Sequence, residues 1–115
     1  MFKEITIGDK TVPMLAVASV NIYTKRVFGI DPLKSVSMEL EAEEGIDMYQ
    51  KVGFIMAKLA ACQAAGSFAP MNELNEDKYL EWLCELDNGA LIEAVKEIAQ
   101  LYIGQNKPTS AAKNP

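Results

Sequence analysis

Few side chains in this chain of 115 residues could do covalent or metal chemistry, and their spacing argues against it. There is no histidine, so the commonest general base and the commonest zinc ligand are both missing. The two cysteines, Cys62 and Cys84, lack CxxC spacing and cannot complete a tetrahedral zinc site unaided. Each lies late in an expected helix, the wrong end for lowering a thiol pKa. Glu39, Glu41, Glu43, Glu44 and Asp47 form an acidic run without the DxDxDG spacing of a calcium loop, and read as a solvated surface. Neither a GxxxxGK nor a GxGxxG phosphate loop occurs. The residues therefore predict a protein that is not an enzyme and needs no metal or cofactor.

Binding is what remains. Trp82, with Tyr79 beside it on the same expected helix, is the residue to watch, because large aromatics at the margin of a face are frequent interaction anchors. The alternative is that Trp82 fills the core beside Tyr79 and Leu86. Met14, Met38, Met48, Met56 and Met71 would supply adaptable apolar surface, or simply pack inside.

The element that must position these residues is an apolar helix at about 46–65. Met48, Val52, Ile55, Leu59 and Cys62 share one face at helical spacing, while Phe54, Met56, Ala57, Ala60, Ala61 and Ala64 make much of the rest apolar. Asp47, Lys51 and Lys58 form a narrow polar stripe. So little wet surface predicts a central helix wrapped by its neighbours. It is not a membrane span, since the two lysines cut it into runs far short of the ~20 residues a bilayer requires.

Taken in order, Phe2–Ile7 alternates like a half-buried strand, Gly8-Asp9 offers a type II′ turn, and Val12 and Met14 continue on a second strand, giving a hairpin over 2–15. Pro13 must sit on an edge or face away from its partner strand. A helix over 17–28 follows, buried through Val17, Val20, Tyr23, Val27 and Phe28, with Asn21, Lys25 and Arg26 pointing elsewhere and Gly29 as left-handed C′ residue. Asp31-Pro32 starts a short helix over 32–40, then an acidic connection closes at Gly45. Ser67 to Leu74 is a loop. Asn75 caps a helix over 75–86 buried through Tyr79, Leu80, Leu83 and Leu86, with Trp82 at its border. Asp87 or Asn88 caps the last helix, 88–103, whose stripe is Leu91, Val95, Ile98 and Tyr102 and which ends at Gly104. Residues 105–115 hold no large apolar side chain and read as a disordered tail. The expected fold is thus α+β and mostly α: one domain over 1–104, with an N-terminal hairpin and a bundle of four to five helices.

Half the residues are hydrophobic, at 50%, and only 23% are charged, which suits a globular domain with a real core. A net charge of -5 argues against a sequence-independent hold on nucleic acid. The cysteines lie in apolar contexts and read as reduced core residues, consistent with a cytoplasmic setting. The opening MFKEITIGDK lacks a basic region followed by an apolar run, so no signal peptide is expected.

The hairpin IxIGDK, the helix ending YTKRVFGIDPL, the acidic break, the long apolar helix, the segment NEDKYLEWLCELD and a last helix ending YIG form a pattern over most of 2–104. It resembles the tail assembly chaperones of long-tailed phages and of prophages in Gram-positive bacteria. The resemblance implies a non-enzymatic protein of the host cytoplasm that coats the long helical tape measure protein and keeps it soluble until tail tube subunits polymerise. It also implies weak self-association, and a longer product made by ribosomal frameshifting whose extension recruits the tail tube protein. The Lys113-Asn114 pair is compatible with a slippery run in the gene. The resemblance carries no residue-level site, so Trp82 and Tyr79 are candidates from the residues alone. The competing expectation is an acidic adaptor or inhibitor that mimics DNA toward a basic host protein. Its carboxylates would be interrupted by Lys58, Lys78 and Lys96.

Overall fold

Alternating side chains and a glycine turn build the first element. The computed structural model describes residues 1–35 and 43–105, and in it β1 (Phe2–Ile7) pairs antiparallel with β2 (Lys10–Leu15), Ile7 opposite Lys10 and Phe2 opposite Leu15. Gly8 turns the chain at a φ of 67°, and Asp9 stays out of the left-handed region, as a type II′ turn requires. Beyond the strands, Met1 and Ala16 exchange two hydrogen bonds, the Met1 amine donating to the Ala16 carbonyl and the Ala16 N–H to the Met1 carbonyl. Since bonded and non-bonded pairs alternate in an antiparallel ladder, Glu4 and Pro13 form a non-bonded pair. The proline nitrogen therefore faces outward, where its missing N–H costs the ladder nothing.

Among the described residues the molecule is α+β and mostly helical, with four α-helices after the hairpin. α1 (Ser19–Phe28) ends in Gly29 at a φ of 72°, whose N–H reaches the Lys25 carbonyl. Its face differs in detail from the expectation. Val20 and Thr24 are the buried residues, and Thr24 satisfies its hydroxyl by donating to the Val20 carbonyl one turn back. Asn21, expected to point away, is half-buried and accepts the Tyr102 hydroxyl.

Asp31 accepts the Leu33 N–H, but the turn it opens is a short 3₁₀ segment, Pro32–Ser35. The rest of the expected 32–40 helix lies outside the described residues, as do Glu39 and Glu41 of the acidic connection. Glu43 and Glu44 do not belong to that connection. α2 (Glu43–Ala65) begins with them, so Gly45 lies inside the helix, buried, rather than closing a loop.

α2 packs against β2, α1, α4 and α3 (Glu76–Cys84). Gly53 lets it approach α4 (Asn88–Gln105) closely: a Cβ there would stand 3.1 Å from the Ile98 Cδ1. Between α2 and α3 the expected loop contains a 3₁₀ turn, Ala69–Glu73, that buries Met71. Asn75 caps α3 by accepting the Lys78 N–H, and Asp87 caps α4 by accepting the Ala90 N–H. The α4 stripe of Leu91, Val95, Ile98 and Tyr102 is buried, and the helix runs through Gly104 to Gln105. Leu80 breaks the expected α3 face: it is 55% exposed, because this short helix is covered on one side only. The C-terminal tail expected at 105–115 lies, from 106 onward, outside the described residues. No helix among the described residues is long and apolar enough to cross a membrane.

Candidate partner-binding groove

Trp82 and Tyr79 are not on the surface. They are 8% and 5% exposed, and with Phe54 of α2 and Phe28 of α1 they form one aromatic cluster. The Tyr79 ring meets Phe28 edge-on at 5.0 Å and Phe54 at 5.4 Å, while Trp82 lies 5.6 Å from Phe54 and stacks beside Tyr79 at 6.5 Å. Such offset and edge-to-face pairs add to the burial energy of the rings. Burial, with a smaller contribution from the charge of Asp47, holds the Tyr79 phenol well above its ordinary pKa. Of the two readings of Trp82, the core-filling one describes most of its side chain; its partners are Tyr79 and Phe54, with Leu86 half-buried.

One edge of the indole does reach an open hollow. This groove, about 360 Å³, lies between the hairpin, α2 and α3. Ala57, Ala60, Ala61 and Ala64 form its floor at spacings of three and four, so they line one stripe of α2. Phe2, Val12 and Pro13 make the hairpin wall, and Trp82 closes the α3 side. A second hollow of about 310 Å³ lies alongside, between α2 and the 3₁₀ turn, with Ala61, Cys62, Ala65, Pro70, Met71 and Leu74 in its lining. Lys58 and Ala61 belong to both. The surface is apolar: its polar components are Lys58 and Gln63 in the first hollow and Lys58 in the second.

The polar stripe of α2 differs along its length. Lys51 pairs with Asp47 at 2.9 Å, one turn away, and its ammonium sits 5.5 Å from the Phe28 ring centre. Lys58 rests 5.7 Å from the Phe54 ring centre and has no carboxylate within ion-pair distance among the described residues. Lys3 is paired with Glu97 at 3.2 Å.

The remaining candidates separate. Cys62 is buried, as expected, but Cys84 is exposed at the end of α3, and both are free thiols. No three His, Cys, Asp or Glu side chains converge as a metal site would require among the described residues. Sequence reasoning placed the binding surface on the last two helices, around Trp82 and Tyr79. Of these the groove takes in Trp82 of α3, beside α2 and the hairpin, while Tyr79 and α4 take no part in its lining. Phe2, Pro13, Lys58 and the alanine stripe were missed as site residues. The available signal was the run of alanines at helical spacing late in α2, too small to fill a core yet too apolar to read as a wet face.

Set against models of protein families, curated proteins and solved structures, the chain matches none of them.

Proposed function

We propose that this protein is a non-enzymatic tail assembly chaperone of a long-tailed phage or prophage, which binds the tape measure protein in the host cytoplasm and keeps it soluble until tail tube subunits assemble. The observation that supports the reading is the open apolar groove, floored by small side chains and walled by Phe2, Pro13 and Trp82. A long helical protein awaiting its partners exposes an apolar stripe that would otherwise aggregate. A shallow groove of alanines suits such a stripe, because a helix can lie close above them. Each hollow is small, so a single contact is weak and release is easy, while many copies along one chain supply the hold. In this reading α2 is the apolar centre of the domain, weak self-association helps coat the partner, and a frameshifted extension recruits the tail tube protein.

Co-expression with a tape measure protein tests this. The expected result is a soluble complex that survives about 1 M salt, where the Debye length falls to ~3 Å and ionic contacts are screened. Ala61→Arg, which puts a charge on an exposed floor position, should abolish it without unfolding the chain. A partner that stays insoluble would overturn the reading. A complex that dissolves at moderate salt would transfer the assignment to an acidic adaptor.

A further inference from the structure

We propose that the groove selects an α-helical segment carrying a carboxylate beside its apolar stripe, and that Lys58 is the residue that reads it. The inference rests on the chaperone reading for the identity of the site and adds the chemistry of the occupant.

Three observations point to it. The first is charge. Lys58 is the one charged side chain lining either hollow and belongs to both. It is half-buried, with its ammonium close to the Phe54 ring, yet no described carboxylate pairs with it in a chain where acids outnumber bases by 16 to 11. Lys51 on the same stripe and Lys3 on the hairpin are both paired. Lys10, Lys25, Lys78 and Lys96, which have no ion pair among the described residues, are exposed, whereas Lys58 is half-buried beside the groove. A partner's carboxylate would complete at Lys58 what Asp47 completes at Lys51.

The second is the wall. Pro13 lines the groove, and the ladder register turns its nitrogen outward. A peptide adding to β2 as a strand would meet no N–H there, so extension of the sheet is disfavoured along this wall of the groove.

The third is size. From Ala57 to Ala65 the floor runs about 12 Å along α2, two helical turns. That length matches apolar anchors at i, i+3, i+4 and i+7 of one helix. A second folded copy would need roughly 800 Å² of face per partner, far beyond such hollows.

Two synthetic peptides of about 20 residues test the proposal, each with the same Leu/Ala stripe and helix-forming remainder, one with glutamate flanking the stripe and one with lysine. Trp82 is the only tryptophan and edges the groove, so its emission reports occupancy when the peptides lack tryptophan. The glutamate peptide should bind the intact protein roughly five-fold more tightly at low salt, the scale of one partly exposed ion pair. Lys58→Met should bind both equally, and Lys58→Glu should reverse the order, with circular dichroism showing both variants folded. Equal binding of the two peptides by the unaltered protein overturns the proposal while leaving the apolar groove in place. Binding by neither, or only by a strand-forming peptide, overturns the groove as a helix site altogether.

Discussion

The two halves of α2 are equally apolar in sequence and have opposite fates. From Met48 to Ala60 the large side chains Tyr49, Phe54, Ile55, Met56 and Leu59 are wholly or almost wholly buried. From Ala61 to Ala65 every residue but Cys62 is exposed. The first half is enclosed by the hairpin, α1 and α4, and its rings and branched chains fill the space between them. Along the second half the cover opens into the groove beside the hairpin, and the exposed positions carry Ala61, Gln63, Ala64 and Ala65, with no large apolar side chain stranded in water. Side-chain volume, rather than apolarity, separates the stretch that holds the domain together from the stretch that remains available.

Phe54→Ala should break the contrast most severely. It removes the ring shared by Phe28, Tyr79 and Trp82 and should cost about 3–5 kcal/mol in chemical denaturation, enough to threaten folding altogether. Trp82 emission would shift to the red at the same time.

High pH should attack the same region. Burial, with the nearby Tyr49 and Asp31, pushes the Tyr102 phenol up to about 12, and burial raises Tyr49 and Tyr79 in the same direction. In the unfolded chain these phenols release protons near the ordinary value of ~10. Above that pH the unfolded state binds fewer protons than the native state, so stability falls as pH rises. Tyrosine ionisation should therefore leave urea midpoints unchanged below pH ~10 and lower them steadily toward pH 12. A flat profile through that window would remove the phenols from the account.

Within the buried half, the Tyr49 hydroxyl finds no hydrogen-bond partner among the described residues, although its ring meets Tyr102 edge-on at 6.2 Å. Tyr49→Phe keeps the ring and deletes the stranded group, so it should be neutral or stabilising by about 1 kcal/mol, read from thermal melts. Smallest of all should be Ala64→Leu at the open end. It fills groove rather than core, so stability should change by no more than ~0.5 kcal/mol while helix-peptide affinity falls.

The local features of this fold were legible because each depends on a few adjacent residues. Gly8-Asp9 makes the turn, Pro13 faces out of the ladder, Gly29 closes α1, Asn75 and Asp87 cap their helices, and the α4 stripe is buried as its spacing requires. What escaped depends on which surfaces meet. Leu80 fits the helical period of α3 but nothing packs on that side, and Trp82, placed at a border, is drawn into the gap between Phe54 and Tyr79. Glu43 and Glu44 looked like a solvated linker because charge says nothing about whether backbone hydrogen bonds continue through it. The groove was least legible: Phe2, Pro13, Lys58 and Trp82 come from three distant segments and share a site only after the hairpin lies across α2.

The most direct measurement is an amide chemical-shift map of the labelled protein titrated with a segment of tape measure helix. Perturbations should concentrate at Ala57 to Ala65, Phe2, Val12 and the Trp82 indole, and should persist at high salt. Shifts gathered instead around exposed Ile22 and Leu33, or over the acidic surface and lost with salt, would contradict a docking groove at the end of α2.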